Sequence, residues 1–594
     1  MKTFPIRGGG FVGLALGVLF FSAVIFLGFS FDHGLEMSDE GAYLLVAGDP
    51  WYAPAHGSFY GFALHPLWIL CGQTVTGFRW GGLLVWLAAC FYFANAVVRT
   101  IPSFGSPRPY RIPSGWIFGS LLVAGFVLYS DGVRTPNYNW LSHVGAALFA
   151  GAWLRAARLP AEKPSLTDIL AGAAGFTLLV AGRWGCGLLI LPLALWGSLK
   201  PTQPGPVRVW LWQTGLMAVL MIGLLAYFYV GVDSLRAGWW SAKLIFAQTD
   251  SHGVWLAGQY LENFVYYLYR IARAAIWILP LVGLVWIFCR IPRLGRKIQP
   301  LSVALVCFAA VILALARGYW KGGTEYFSKE SVVVGLWLAS VAWLTWRREP
   351  SRFRAEGLGW WLGFFAALPW LLGLATDTSL ADYSGHGAVF TVAAGWLLLA
   401  GWLPFTNPPF AAGALILALA SLQACRVGTS TIFSYRIGNV WEFASPVRSG
   451  SERERLRLDT STADLVFRLD AAMREKGFQT GDPIIALTDM PGLVYLLGGK
   501  SPGVPWYFGM SPRLAGEEGE FTRYVLSSLP TSLLEECWVL VRIRSCIPKD
   551  LSRLWPDGVS ALPAESGLEI PWNTFFSSGD AVRLYIPSKN EWKK

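Results

Sequence analysis

Charge is what this chain has least of. Only 14% of its 594 residues are Asp, Glu, Lys or Arg, where a soluble protein carries about a quarter. By contrast 54% are apolar, a share that includes the 15% that are aromatic, 31 Trp among them, a composition that reads as a polytopic helical membrane protein. Histidine is scarce too, at six residues. No His-Glu-x-x-His, Cys-x-x-Cys or His-x-His cluster is present, which argues against a high-affinity zinc site. The chain also lacks a P-loop, a dinucleotide fingerprint after a strand and a Gly-x-Ser-x-Gly elbow, so the commonest nucleotide-driven readings fall away. Of eight cysteines, Cys90, Cys186, Cys289, Cys307 and Cys425 lie in or beside apolar runs and read as packing residues. Cys537 and Cys546 lie in the polar C-terminal part and could pair in an oxidising compartment.

What charge there is has a pattern. The net charge of +11 comes from short basic clusters between apolar runs, which fits cytoplasmic loops and not a nucleic-acid face. A spanning helix needs about 20 residues. On that scale spans are expected near 11–30, 78–98, 116–131, 140–154, 168–182, 185–199, 209–231, 265–289, 301–316, 331–346, 358–375, 388–403 and 409–425. The basic N-terminus before the first run, with no small-x-small cleavage site, reads as a retained signal anchor. Five successive basic clusters, beginning with Arg99/Arg108/Arg111 and ending with Arg347/Arg348/Arg352/Arg354, fall on one side. The first loop of the other side, 31–58, has no Lys or Arg but holds Asp32, Glu36, Asp39, Glu40 and Asp49. This asymmetry places the N-terminus in the cytoplasm and the C-terminal part outside; the membrane expected is a bacterial inner (plasma) membrane.

Two segments test that arrangement. Residues 59–76 are apolar, but a span there would invert every later loop, so they are expected to form a helix lying in the outer interface. Residues 168–199 are broken by Gly182-Arg183-Trp184-Gly185, which predicts a hairpin with Arg183 at the outer surface. After residue 425 the composition turns polar. A helix is expected from 460 to 476 with a Ser461/Asp464 capping pair. Short strands are expected at 483–487, 538–543 and 582–586, with helices near 490–498 and 517–528. The expected organisation is thus a transmembrane part, 1–425, whose first outer loop with its interfacial helix is 31–77, followed by a small soluble α/β domain, 426–594.

Ser38-Asp39-Glu40 opens the first outer loop's candidate helix, and Ser38 or Asp39 could be no more than its cap. The same region adds His65, and the other outer segments add Asp131, Arg134, Asn137, Arg183, Arg317, Lys321 and Glu325, as candidate substrate-binding residues. Carboxylates suit proton abstraction from a hydroxyl, and basic groups suit a phosphate. Asp39, Glu40 and Glu325 would make an oxygen-rich Mg²⁺ or Mn²⁺ site only if folding gathered their loops.

A cytoplasmic first helix, an acidic outer loop with Asp39-Glu40 and an interfacial helix with Leu64-His65-Pro66-Leu67 together resemble the GT-C class of membrane glycosyltransferases. The protein O-mannosyltransferase and lipid A aminoarabinose transferase types (glycosyltransferase family 39-like) are nearest in pattern. At residue level the resemblance covers about residues 36–67. It implies a GT-C-like fold of about 13 transmembrane helices with an extracytoplasmic α/β domain. It also implies a polyprenyl-phosphate-linked sugar donor and a lipid, glycan or protein acceptor meeting at the outer face of the lipid bilayer, without nucleic acid. Asp39 aligns with the catalytic acid and Glu40 with its neighbour. His65 and a single Pro66 stand where many relatives have a basic residue before prolines. The Trp-Trp-Asp acceptor motif of oligosaccharyltransferases is absent, which argues against transfer to asparagine. A transporter or flippase of lipid-linked saccharides is the alternative, and a membrane assembly factor a third.

Overall fold

The computed structural model describes residues 9–54, 58–100, 113–130, 133–158, 164–199, 205–247, 358–373, 385–402, 438–450, 454–487, 490–506, 520–543, 563–574 and 577–588, with isolated positions elsewhere. Its first part is helical. The chain runs through α1 (Gly9–Ser30), α2 (Asp39–Gly48), α3 (Tyr60–Leu70), α4 (Val75–Thr100), α5 (Ser114–Gly125), α6 (Tyr138–Arg158), α7 (Leu166–Gly182), α8 (Trp184–Leu199), α9 (Gly205–Leu224) and α10 (Val232–Ala247). Later come α11 (Leu358–Gly373) and α12 (Ala388–Trp402).

Among the described residues, three helices are long and apolar enough to cross a membrane: Val12–Ser30, Val75–Thr100 and Val207–Val230. Their outer faces explain why they need lipid. Leu14 and Ile25 are each 68% exposed on α1, and Phe228 is 77% exposed just beyond α9. Water contact over such continuous apolar surface is unfavourable by about 25 cal/mol per Å², so these faces read as lipid-facing and the chain as an integral membrane protein. Shorter apolar helices, Leu166–Gly182 and Trp360–Gly373 among them, fall below that length. The expected spans at 265–289, 301–316, 331–346 and 409–425 lie outside the described residues apart from single positions, so the expected total is not established.

Of the two test segments, both break where expected: neither forms one long span. The stretch 59–76 holds α3, an 11-residue helix too short to span. The stretch 168–199 breaks into α7 and α8, with Arg183 in extended backbone between them.

The C-terminal part is α/β. Strands β1 (Phe433–Ser434) and β2 (Gly438–Asn439) form one antiparallel pair, and β3 (Ser445–Arg448) and β4 (Arg455–Leu458) another. Four strands, β5 (Ile484–Leu487), β6 (Trp538–Arg542), β7 (Ala564–Thr574) and β8 (Ser577–Ile586), form a sheet of order β5-β6-β8-β7. Its β5–β6 pair is parallel and the rest antiparallel. Helices α13 (Thr460–Glu475), α14 (Pro491–Leu497), α15 (Glu520–Ser528) and the single turn α16 (Thr531–Leu534) complete this part.

Two expectations here need correction. The cap of α13 is Asp459, whose side chain accepts from Thr462 N at 2.9 Å, because the helix begins before Ser461; Asp464 instead pairs with Arg468 one turn on. Cys537 is a free thiol, fully buried in the core of β5, β6 and α15, where its Sγ donates to Leu533 O. Burial pushes that thiol well above its ordinary pKa. Cys546, its expected partner, lies outside the described residues.

The two parts meet on the first loop. Gly34 N donates to Arg457 O at 2.7 Å and Arg457 N to Asp32 O at 2.8 Å, a strand-like bridge from the loop to β4. Val75 and Thr76, the first amides of α4, donate to the Glu454 carboxylate at 2.7 and 3.2 Å, so an acid of the C-terminal part caps a spanning helix. Lys500 reaches Asp49 at 2.9 Å, and Gly503 N donates to Tyr52 O at 3.0 Å.

A close approach between the two parts is made by two glycines. Gly492 N, at the start of α14, donates to Met37 O at 2.7 Å, and a Cβ on Gly41 would lie 2.2 Å from Gly492 N. No side chain fits between these backbones. Gly41→Val is therefore expected to separate α14 from α2, seen as faster proteolysis of the C-terminal part in the full-length chain. Unchanged protection would show that α2 and α14 tolerate being forced apart.

Candidate functional site

The first loop begins with a helix whose start is built by Glu36. The Glu36 carboxylate accepts from Ser38 N at 3.1 Å, Ser38 Oγ at 2.8 Å and Glu40 N at 3.1 Å. It thereby takes the amide of the N-cap residue and one first-turn amide of α2. Ser38 occupies the N-cap position but makes no side-chain cap bond. The capping duty considered for Ser38 or Asp39 thus falls on Glu36, a residue sequence reasoning passed over because it sits two positions before the cap.

Glu40 and Asp39 then part company. Glu40 is 0% exposed. Its Oε1 accepts from Arg79 Nε at 3.0 Å and from Thr135 Oγ1, and its Oε2 from Arg79 Nη2 at 2.8 Å and Glu36 N at 3.1 Å. Arg79, also fully buried, uses its other donors on Phe31 O at 2.7 Å and Gly34 O at 2.9 Å. This two-point ion pair ties α2 to α4 and leaves Glu40, the second candidate catalytic acid, with no surface for an acceptor. Asp39 is half-buried in the first turn of the same helix. Successive helical residues point about 100° apart, so the two acids leave α2 in different directions.

Asp39 borders a set of aromatic rings. Tyr43 of α2, Tyr60 of α3 and Tyr138 of α6 sit with centroids 5.7 to 5.8 Å apart pairwise. Burial, then Tyr138 and then the Asp39 charge push the Tyr60 hydroxyl well above its ordinary pKa, so the Asp39 charge is felt at this ring. Arg183 lies over the Tyr138 ring with its guanidinium carbon 4.9 Å from the centroid. It also donates to Leu372 O at 2.9 Å and to Asn139 Oδ1. Arg183 is 7% exposed, so the expected surface arginine is in fact inside the helix packing, at the joint of α7 and α8. The fold thus brings together Asp39, three tyrosines and Arg183.

The other expected residues divide. Arg134 is 1% exposed and donates to Ser30 O, His33 O and Thr431 O at 2.6, 2.9 and 3.0 Å. Burial and then the neighbouring Arg79 lower its pKa, with Glu40 opposing. It pins loop carbonyls and does not face outward toward a phosphate. Asn137 caps α6, its Oδ1 accepting from Trp140 N at 3.0 Å while its amide donates to Thr135 O at 3.2 Å. That is a structural duty in place of the expected substrate contact. His65 is half-buried; its Nδ1 donates to Ala47 O at 2.7 Å, and its ring meets Trp51 edge-on at 5.0 Å. That bond braces α3 against the end of α2 and directs Nε2 away from α2. Asp131, Arg317, Lys321 and Glu325 lie outside the described residues.

Among the described residues, no group of three His, Cys, Asp or Glu could hold a metal ion. Glu40 offers no oxygen for one, since both are committed to Arg79 and its neighbours.

No protein-family model matches this chain, and no curated protein matches it. It is similar to the crystal structure of an Archaeoglobus fulgidus oligosaccharyltransferase tethered to an acceptor peptide containing the NVT sequon. That likeness has 13% identity and a TM-score of 0.44, over 89% of this chain and 69% of the other. It is also similar to ArnT from Cupriavidus metallidurans bound to undecaprenyl phosphate, at 12% identity and a TM-score of 0.34, over 97% of this chain and 98% of the other. Both fall among the GT-C glycosyltransferases that the first outer loop resembles. With TM-scores below 0.5 they stand as likenesses only, and the geometry around Asp39 is independent of them.

Proposed function

We propose that this chain is an integral-membrane glycosyltransferase that moves a sugar from a polyprenyl-phosphate donor to a hydroxyl of a lipid, glycan or protein acceptor. The observation that carries the reading is the division of labour between adjacent acids. Glu40 is sealed into a structural ion pair, while Asp39, one residue earlier, keeps exposed surface beside Tyr43, Tyr60 and Tyr138. A half-buried carboxylate on a helix held rigid from below is suited to accept a proton at a fixed place.

In the proposed step the acceptor oxygen attacks the anomeric carbon and its proton passes to Asp39. The bond between that carbon and the phosphate oxygen breaks, and polyprenyl phosphate leaves with the electron pair. A single displacement of this kind inverts the anomeric centre. Arg183, which lies over the Tyr138 ring, is proposed to stabilise the leaving phosphate; Arg317 and Lys321 are proposed to assist. Tyrosine faces suit a sugar ring, and spanning helices admit the lipid tail from the bilayer. If a divalent cation takes part, Asp39 and Glu325 are the oxygens proposed to hold it. The topology proposed is a cytoplasmic N-terminus with residues 426–594 outside.

The competing reading is a flippase for the same lipid-linked sugar, favoured by the paucity of committed donor ligands among the described residues. Purified protein in detergent is incubated with a radiolabelled polyprenyl-phosphate sugar and a candidate acceptor. Time-dependent release of polyprenyl phosphate is the expected result. A donor recovered intact from detergent, yet moved across the bilayer of proteoliposomes, would sink the transferase reading.

A further inference from the structure

Away from Asp39, the end of the β3–β4 hairpin and helix α13 enclose a cavity of about 380 Å³. Three arginines line it: Arg448 of β3, Arg455 of β4 and Arg474 of α13. Arg448 and Arg455 are directly opposite cross-strand partners, an arrangement of like charges that costs stability unless something neutralises it. Nothing among the described residues does. Asp470, the carboxylate that lines the cavity, has both oxygens on Arg474 Nε at 2.9 Å. The apolar side is made by Val466, Phe467 and Leu496, and Phe467 is 54% exposed there. An exposed Phe beside unneutralised guanidinium groups describes a ligand with an anion at one end and hydrocarbon at the other.

The position of the groove narrows this further. Arg455 follows Glu454, the residue that caps the first amides of α4, and α4 is long and apolar enough to span. The groove therefore lies at the level where a spanning helix ends and lipid headgroups begin.

We infer that the groove between the β3–β4 hairpin and α13 is a binding site for a phosphate group carrying an apolar chain, held between Arg448 and Arg455. The ligand class is the phosphorylated headgroup of a membrane lipid. Arg448 and Arg455 supply paired charge-assisted hydrogen bonds to the phosphate, and Phe467 and Val466 take the first carbons of the chain. This site is separate from the Asp39 cluster and stands whether or not the chain is a transferase.

The test is calorimetric titration of the full-length protein in a neutral detergent with three probes: dihexanoyl phosphatidic acid, dihexanoyl phosphatidylcholine and inorganic phosphate. Saturable binding of the phosphatidic acid is expected, weakened about tenfold or more by Arg448→Ala/Arg455→Ala and unchanged by Arg468→Ala on the same helix. The double variant should melt at or above the parent temperature, because it removes a repelling pair. Absence of saturable binding, equal binding by the double variant, or a lower melting temperature would each overturn the inference. Inorganic phosphate bound as tightly as phosphatidic acid would overturn the lipid as its source.

Discussion

Arg79→Met is expected to destabilise the protein by about 3–5 kcal/mol, because it strands a buried carboxylate without its cation. The side chains of Arg79 and Glu40 are both 0% exposed, so water cannot take the guanidinium's place. That loss is a large share of the total stability of a typical fold, about 5–15 kcal/mol. It also releases Phe31 O and Gly34 O, which Arg79 now satisfies, and loosens the loop that carries α2. The readout is melting temperature and the yield of monodisperse protein in detergent. Arg79→Met/Glu40→Leu should recover much of what Arg79→Met loses, since removing both charges avoids the stranded ion. If the double variant were no more stable than the single, the pair would not be the origin of the loss.

The pairing also shows why some of this site was legible in the sequence and some was not. The apolar runs among the described residues, the short helix α3 and the break at Arg183 follow from local composition, and the helices described there fall close to the expected spans. Asp39-Glu40 was legible as an acidic pair in a loop without basic residues. Which acid faces solvent was not, because the answer depends on Arg79, 39 residues away on α4, read in the sequence as part of an apolar span. Arg134 and Asn137 misled for a related reason. Polar residues in an outer loop resemble ligand contacts until the loop's carbonyls and helix ends are counted as competitors for the same donors. In the C-terminal part, β7 escaped detection because Gly567 and Pro571 interrupt its pattern. It tolerates them as an edge strand, pairing through β8 on one side only.

Asp39→Asn is expected to reduce sugar transfer by about 10²–10⁴-fold, the usual effect of removing a positioned general base, while leaving the melting temperature near that of the parent. The stability half of this expectation follows from the structure around the helix start. The Glu36 carboxylate already takes the Ser38 and Glu40 amides at the start of α2, a capping duty that does not fall on Asp39. An amide of the same shape keeps the size of the side chain and removes its ability to accept the proton. Glu40→Gln should behave in the opposite way. It weakens the hold on Arg79 and lowers stability, and any loss of activity should track the fraction of protein that is folded. The contrast separates chemistry from architecture more cleanly than either variant alone. Full transfer by folded Asp39→Asn protein would remove Asp39 from the mechanism. Equal and proportionate losses of folding and activity in both variants would mean that the two acids act together as structure. A rate loss confined to Asp39→Asn, with kcat falling and KM held, would place its contribution in the transition state, not in substrate binding.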